Sequence, residues 1–406
     1  MKNSNQSFTL NKRVWCVIVG LVSISSGAIA DELTTALTSG KPSADFNLRY
    51  ESVEQENGLK DASALTLRTR LAYTTGKVSG WSALVEMEDT RIVLGQGDYS
   101  VPQTAYQSGV YSVIADPEHT ELDQGFVQYT SETITAKIGR QVIAWDGQRF
   151  IGHVGWRQDR QTFDAVSVKY NPRQDLTLNY AYITQRNRIF AEAQDQDSKD
   201  HLFNASFKTS LGTLTGYGYV LELDNETEND LDTFGVSFVG SAVAGGTKLL
   251  YSLEYANQTS ETVATDFSAD YMLAEFGAVM GGLTAKLGYE SLGSDDAAYG
   301  FSTPLATMHK FNGWADIFLT TPAQGLVDTY ISLAGGALGG KWMAAYHSFE
   351  ADKASDSVDD LGSELDLQYV RAYGPHYSIG LKYAAYSGDS GKVDTDKLWA
   401  WFSAKF

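Results

Sequence analysis

Apolar and aromatic side chains recur at every second position, in segments of about ten residues, the length of a membrane-crossing strand. Phe46, Leu48 and Tyr50 alternate with Asn47, Arg49 and Glu51. Leu65, Leu67, Leu71 and Tyr73 alternate with Thr66, Arg68, Arg70 and Ala72. The same period returns in Leu176–Tyr182, Leu249–Tyr255, Leu283–Tyr289 and Tyr377–Tyr383, and it ends on Leu398, Ala400, Phe402, Ala404 and Phe406. Successive strand side chains point to opposite faces, so each segment presents one apolar wall and one polar, often charged, wall. Helical spacing is not sustained anywhere after residue 30.

The connections alternate in length. Thr75-Gly76-Lys77-Val78, Ser131-Glu132-Thr133, Asn171-Pro172-Arg173-Gln174, Ser210-Leu211-Gly212-Thr213 and Tyr373-Gly374-Pro375-His376 are hairpin-length turns. Longer polar segments lie between them at 89–120, 143–160, 185–200, 291–324 and 351–360. Short turns at one end and long loops at the other describe an outer-membrane barrel with periplasmic turns and extracellular loops. A soluble β-sandwich would alternate too. Against it stand the aromatic residues at segment ends (Tyr73, Trp81, Tyr170, Tyr289, Trp342, Tyr369, Trp399), the constant polarity of the apolar wall and the terminal aromatic strand ending at Phe406. There are nineteen candidate strands, and the weakest is Phe311–Leu319, which alternates poorly around Gly313. Both ends of such a barrel lie in the periplasm, so the count must be even. Demoting Phe311–Leu319 to a loop leaves one antiparallel all-β barrel of eighteen strands over residues 44–406, wide enough for an aqueous lumen.

The start of the chain reads as an export signal. Lys2, Lys12 and Arg13 precede an apolar stretch, Val14–Ile24, and Ala28-Ile29-Ala30 has the form of a cleavage site. The apolar stretch is too short for a transmembrane helix, which needs about 20 residues. Cleavage after Ala30 would leave residues 31–43 as a short periplasmic segment. It also removes Cys16, the only cysteine, so disulfide and thiol chemistry drop out of the account. Removing three basic residues takes the 31 Lys+Arg to 28 against 50 Asp+Glu, a formal −22. Such a chain is a poor candidate for wrapping nucleic-acid phosphates.

Residues 139–165 contain Gln148-Arg149-Phe150, Gly155-Trp156-Arg157-Gln158 and Gln161-Thr162-Phe163-Asp164. This stretch resembles the alginate-export family of outer-membrane barrels. His309–Asp316 (HKFNGWAD), followed by Thr321-Pro322-Ala323 and Gly325-Leu326, is similar to a second segment of that family, and Tyr346-His347-Ser348-Phe349 to a third. The resemblance implies an eighteen-stranded pore for sugars or other small solutes. An exporter of a polyanion would carry an arginine-rich lumen; here Glu51, Glu86, Glu88, Glu254, Glu275, Glu364 and Asp366 are interleaved with the arginines. That mixture favours a general porin for small hydrophilic solutes, carboxylated sugars among them. A dedicated alginate-type exporter is the alternative, and a barrel enzyme of the outer membrane is a more distant one.

By parity Arg49, Arg68 and Arg70 face inward, with Glu86 and Glu88 as further lining residues. Arg140, Arg149, Arg157 and Arg160 crowd the third long loop together with Trp145, Phe150 and Trp156. Guanidinium groups grip carboxylates and aromatic rings stack on sugars, so an inward fold of this loop would make a selective constriction. On that reading, reversing Arg149 and Arg157 to glutamate inverts the charge preference and leaves folding intact. The structural alternative is that inward charges pair across strands and hold the wall together. The acidic runs 192–200 and 352–360 read as solvated surface, because neither has a calcium-loop register. Gly335–Lys341 (GGALGGK) lacks the Ser or Thr of a phosphate loop and reads as a hairpin turn. There is no G-x-S-x-G or H-E-x-x-H, and the six histidines are scattered. An enzyme, a cofactor and a metal are therefore not expected; the expected partners are lipid, lipopolysaccharide, the barrel-assembly machinery (through Phe406) and small solutes.

Overall fold

The structure is a computed structural model that describes residues 26–406, apart from residues 226, 228, 264 and 356. The basic start and the apolar stretch of the expected export signal therefore lie outside the described residues. A helix α1 (Ser26–Thr38) comes first. Eighteen strands follow: β1 (Lys41–Gln55), β2 (Ala62–Thr74), β3 (Trp81–Asp98), β4 (His119–Thr130), β5 (Ile134–Gln141) and β6 (Thr162–Arg173) make the first third. β7 (Leu176–Asn187), β8 (Gln196–Lys208), β9 (Gly212–Glu222), β10 (Asp230–Ala244), β11 (Thr247–Glu261) and β12 (Asp266–Met280) continue the wall. It ends with β13 (Leu283–Leu292), β14 (Leu326–Ala337), β15 (Gly340–Ser355), β16 (Val358–Tyr373), β17 (Tyr377–Gly388) and β18 (Thr395–Lys405). Each strand pairs antiparallel with its sequence neighbours, and β1 pairs with β18 (Leu48 opposite Phe402, Arg49 opposite Trp401), which closes the sheet. Closure leaves no sheet edge, so every strand can satisfy its backbone in lipid.

The wall is inside out relative to a soluble protein. Leu71, Val85, Met87, Ile138, Phe234, Phe276, Leu287 and Leu381 are exposed, while Arg49, Glu51, Arg70, Glu88, Glu364 and Asp366 are buried. That inversion is stable only where the outer solvent is hydrocarbon. No helix of the described residues is long and apolar enough to cross a membrane. Tyr73, Trp81, Tyr170 and Tyr289 stand exposed near strand ends, as a girdle requires. Trp399 does not join them: it is fully buried on the inward parity of β18, edge-on to Trp156.

Phe311–Leu319 is loop, as the parity argument required, and the turn after β14 sits at Leu338 and Gly339, both with positive φ. Several polar segments are more ordered than their composition suggests. β3 extends to Asp98, β8 begins at Gln196 and β15 reaches Ser355. Asp200, within one of the acidic runs, is buried on β8 and bonded by both oxygens to Arg186, at 2.8 and 2.7 Å. At the other end, β1 starts at Lys41 rather than at residue 44, and residues 31–38 are helical. α1 lies against the β2–β3 turn, where the Gly76 amide bonds the Ala36 carbonyl at 2.8 Å.

Two loops fold back into the barrel. Phe150 and Ile151 of the 142–161 loop, with Phe301, Leu305, Trp314 and Phe318 of the 293–325 loop, form an apolar cluster. They pack on inward wall residues such as Tyr217, Tyr271 and Phe349. This local core holds both loops across the lumen.

Candidate pore constriction

The two inward loops meet through the segments that carry the family resemblance. Trp156 stacks on His309, with ring centres 4.8 Å apart and planes 6° from parallel. Arg157 donates to Glu51 on β1 at 3.1 Å and to Asp316 at 2.7 Å. Arg149 donates to Glu290 on β13 at 2.7 Å and to Asn312 at 3.0 Å. Gly313 has φ +83°, and a Cβ there would stand 2.2 Å from a Glu364 oxygen, so only glycine lets the chain turn here. The turn then aims the Ala315 amide at Glu364, at 2.7 Å, and the Trp314 amide at Asp366, at 3.2 Å.

The remaining wall residues complete the network. Arg49 bonds Asp116 of the 99–118 loop and the Trp156 carbonyl, and its guanidinium lies 5.2 Å from the Trp156 ring centre. Arg70 bonds Glu88 and reaches the Gln158 carbonyl at 3.2 Å. Arg160 bonds Glu86 and lies 2.7 Å from Asp123. Arg68 bonds Asp45 at 2.7 Å, near the short-turn end. Lys382 and Lys397 enter from β17 and β18: Lys382 donates to His309 Nε2 at 2.7 Å, and Lys397 to Asp316 at 3.1 Å. Because Lys382 has no acceptor, His309 takes its proton on Nδ1, which donates to Asp316 at 2.7 Å.

Burial and neighbours set the charge states of the loop groups. Burial works against the Arg157 cation, but Glu51, Asp316 and Asp116 outweigh it and hold its pKa above the ordinary arginine value. Burial would raise Asp316, yet His309, Lys397 and Arg157 hold it well below the usual carboxylate range. Burial drives His309 down to about 3, with Lys382 adding to the effect against the pull of Asp316. The imidazole is neutral and the ion pairs around it are charged.

Arg49, Arg68, Arg70, Glu86 and Glu88 face inward, and Arg149, Arg157, Arg160, Trp145, Phe150 and Trp156 lie on the inward loop. Arg140 does not belong with them. It sits on β5 with the parity of the exposed Ile134 and Ile138, on the outer wall, paired to Asp164 at 2.8 Å. The aromatic trio also splits: Phe150 is core, Trp145 faces Tyr219 at 6.4 Å, and only Trp156 lies among the charges. Asp316 and Asn312 were within the quoted family segment, and Lys382 and Lys397 follow from strand parity, so sequence held a signal for each. Asp116 had none.

Two cavities flank this network. One of about 330 Å³ lies towards the long-loop end, and its charged lining residues are Arg157, Lys392, Lys397 and Asp316. The other, about 510 Å³, lies below the 142–161 loop, with Lys137, Lys169 and Asp146. Among the described residues no carboxylate lies within salt-bridge reach of Lys137, Lys169 or Lys392.

A closed eighteen-strand wall with loops folded into its lumen is the architecture of outer-membrane porins. The model of the alginate export family matches residues 37–291, more than half of the chain, and the protein belongs to that family. Similar folds include Pseudomonas aeruginosa OpdK, crystallised with vanillate, at TM-score 0.72 and 13% identity, covering 91% of this chain and 99% of that one. OccK9 (OpdG) of the same organism follows at TM-score 0.70 and 15% identity, covering 91% and 100%. OpdO matches at 0.70 and 12%, covering 92% and 99%. At such identities the likeness is one of fold. No curated protein matches the chain by sequence.

Proposed function

We propose that the protein is a non-catalytic outer-membrane channel for passive diffusion of small hydrophilic solutes, with a mild preference for anions such as carboxylated sugars. One observation carries the charge preference: Lys137 and Lys169 in the lower cavity and Lys392 in the upper one have no carboxylate partner among the described residues, against Asp146 alone among carboxylates without a basic partner in those linings, whereas Arg49, Arg149 and Arg157 are neutralised by ion pairs. Unpaired charges at close quarters in a narrow lumen act on a passing ion more strongly than the screened −22 that would remain on the chain after cleavage behind Ala30. Vanillate, the ligand crystallised with OpdK, is a small carboxylate and fits the same chemistry. Binding no tighter than roughly millimolar lets such a solute leave as well as enter. Catalysis gains no support from the histidines, since no serine hydroxyl bonds one among the described residues.

The test is the reversal potential of the mature protein, which begins at Asp31 on this reading, across a salt gradient in planar bilayers. The expected result is a small anion preference that Lys137→Glu, Lys169→Glu and Lys392→Glu together convert to cation preference. A cation-selective unmodified pore, or no shift in the triple variant, would overturn the proposal. The family match favours a second reading, dedicated export of an alginate-type polymer. Oligomeric uronates blocking the current at micromolar concentration, far below monomeric uronates, would establish that reading instead. In either case the apolar wall contacts lipid and lipopolysaccharide. Phe406, whose backbone pairs with Ala44 at the β1–β18 seam, is the signal offered to the assembly machinery.

A further inference from the structure

Where the 142–161 loop meets β3 and β4, His119 and Asp159, neither of which the channel reading uses, come together with the lining residue Glu88. His119 opens β4, and its Nδ1 stands 3.1 Å from the Pro117 carbonyl. A carbonyl only accepts, so Nδ1 carries a proton; a neutral ring would then offer the Nε2 lone pair to a metal, whereas a ring without metal hydrogen-bonds Glu88 through Nε2. Nε2 lies 3.2 Å from Glu88 Oε1 on β3 and 3.9 Å from Asp159 Oδ2 on the loop. One donor atom from each of the three residues falls within 4.8 Å of the others. Donors that share a tetrahedral cation at about 2.1 Å stand roughly 3.4 Å apart, so side-chain adjustment alone brings these to ligand spacing.

Two further observations point to a missing cation. Asp159 is 1% exposed, and its Oδ1 has no hydrogen-bond partner. A bare carboxylate oxygen away from water is costly. Glu88 also sits directly opposite Glu121 in the β3–β4 register, where like charges destabilise a sheet. Adding Glu86 and Asp123 makes five carboxylates, and the guanidiniums among them are Arg70 and Arg160. A histidinium at 119 would still leave the group two charges negative.

We propose that Glu88, His119 and Asp159 form a binding site for a divalent cation of the zinc class, which ties the 142–161 loop to β3 and β4. The donor set of one imidazole and two carboxylates suits such an ion, and the Pro117 carbonyl orients the histidine as outer-shell partners of metal ligands do. Arg70 holds the second Glu88 oxygen. The fourth position is left for water or Glu121.

The experiment uses the full barrel in detergent, stripped with a chelator and then dialysed against Zn²⁺ or Co²⁺. The expected result is one tightly held Zn²⁺ per chain and visible d–d bands with Co²⁺. Asp159→Asn and His119→Ala each weaken Zn²⁺ binding at least tenfold, while His201→Ala on the outer wall leaves it unchanged. Heat-dependent gel migration checks that each variant is a folded barrel, and Asp159→Asn serves where His119→Ala does not fold. If the stripped protein takes up no Zn²⁺, or Asp159→Asn binds it as the unmodified protein does, the group is an ion-pair network closed by a histidinium and the proposal fails.

Discussion

Arg157 shows what inward arginines do in this barrel. The residue is 5% exposed, and its guanidinium spans Glu51 on the wall and Asp316 on the 293–325 loop. Desolvating such a charge is tolerable only because carboxylates meet it, and removing one partner strands the others. Arg157→Ala should therefore cost about 3–5 kcal/mol, the usual penalty for orphaning buried charges, read as a lower denaturant midpoint. Joint reversal of Arg149 and Arg157 to glutamate would set carboxylates against Glu290, Glu51 and Asp316, so it breaks the constriction rather than cleanly inverting selectivity. Alternation along β1 and β2 sufficed to turn Arg49, Arg68 and Arg70 inward. It could not say whether they were free, because the hydrogen-bond partners of Arg49, Arg149 and Arg157 stand 67 to 163 residues away in sequence. Arg140 differs for a simpler reason: it adjoins a long loop in sequence, but its alternation with Ile134 and Ile138 sets it on the outer wall.

At the scale of elements, the inward loops depend on charge states that acid removes. His309 is neutral in the folded loop, with its pKa depressed to about 3, and takes up a proton below about 6.5 once released. Asp316 is held well below its ordinary value in the folded state. Both groups bind fewer protons when the loop is docked, so docking is fully stable above about pH 6.5 and weakens as pH falls towards 3. Open-channel noise should rise over that window at fixed voltage. His309→Gln should remove the part of the effect above about pH 4, leaving only the part due to Asp316. A noise level independent of pH from 7 to 3 would mean that the loop does not rest on these groups. The loops and the strands differed in how far sequence disclosed them. Apolar alternation marks a strand only within the lipid band, about 25 Å tall. Above it both faces are wet, which is why the upper parts of β3, β8 and β15 looked like polar loop.

For the whole molecule, closure and contents are separable. The wall is held by strand pairing that runs unbroken from β1 to β18 and back, without help from either inward loop. The even strand count followed from termini on one side, and the loop status of Phe311–Leu319 from the same rule. What fills the lumen had no such rule, because it depends on which loops find apolar partners inside. Replacing residues 304–320 by a short Gly-Ser linker removes Asn312, Trp314, Asp316 and Phe318. Arg149 still keeps Glu290, and Arg157 still keeps Glu51. The barrel should therefore assemble and show heat-dependent gel migration. Single-channel conductance should rise several-fold. Charge preference should fall towards unity, because a wider lumen lets ions pass more than a Debye length, about 8 Å at 0.15 M salt, from the lysines. Equal conductance with and without the segment would mean that ions take a path the 293–325 loop does not control, and the constriction would have to be sought elsewhere in the barrel.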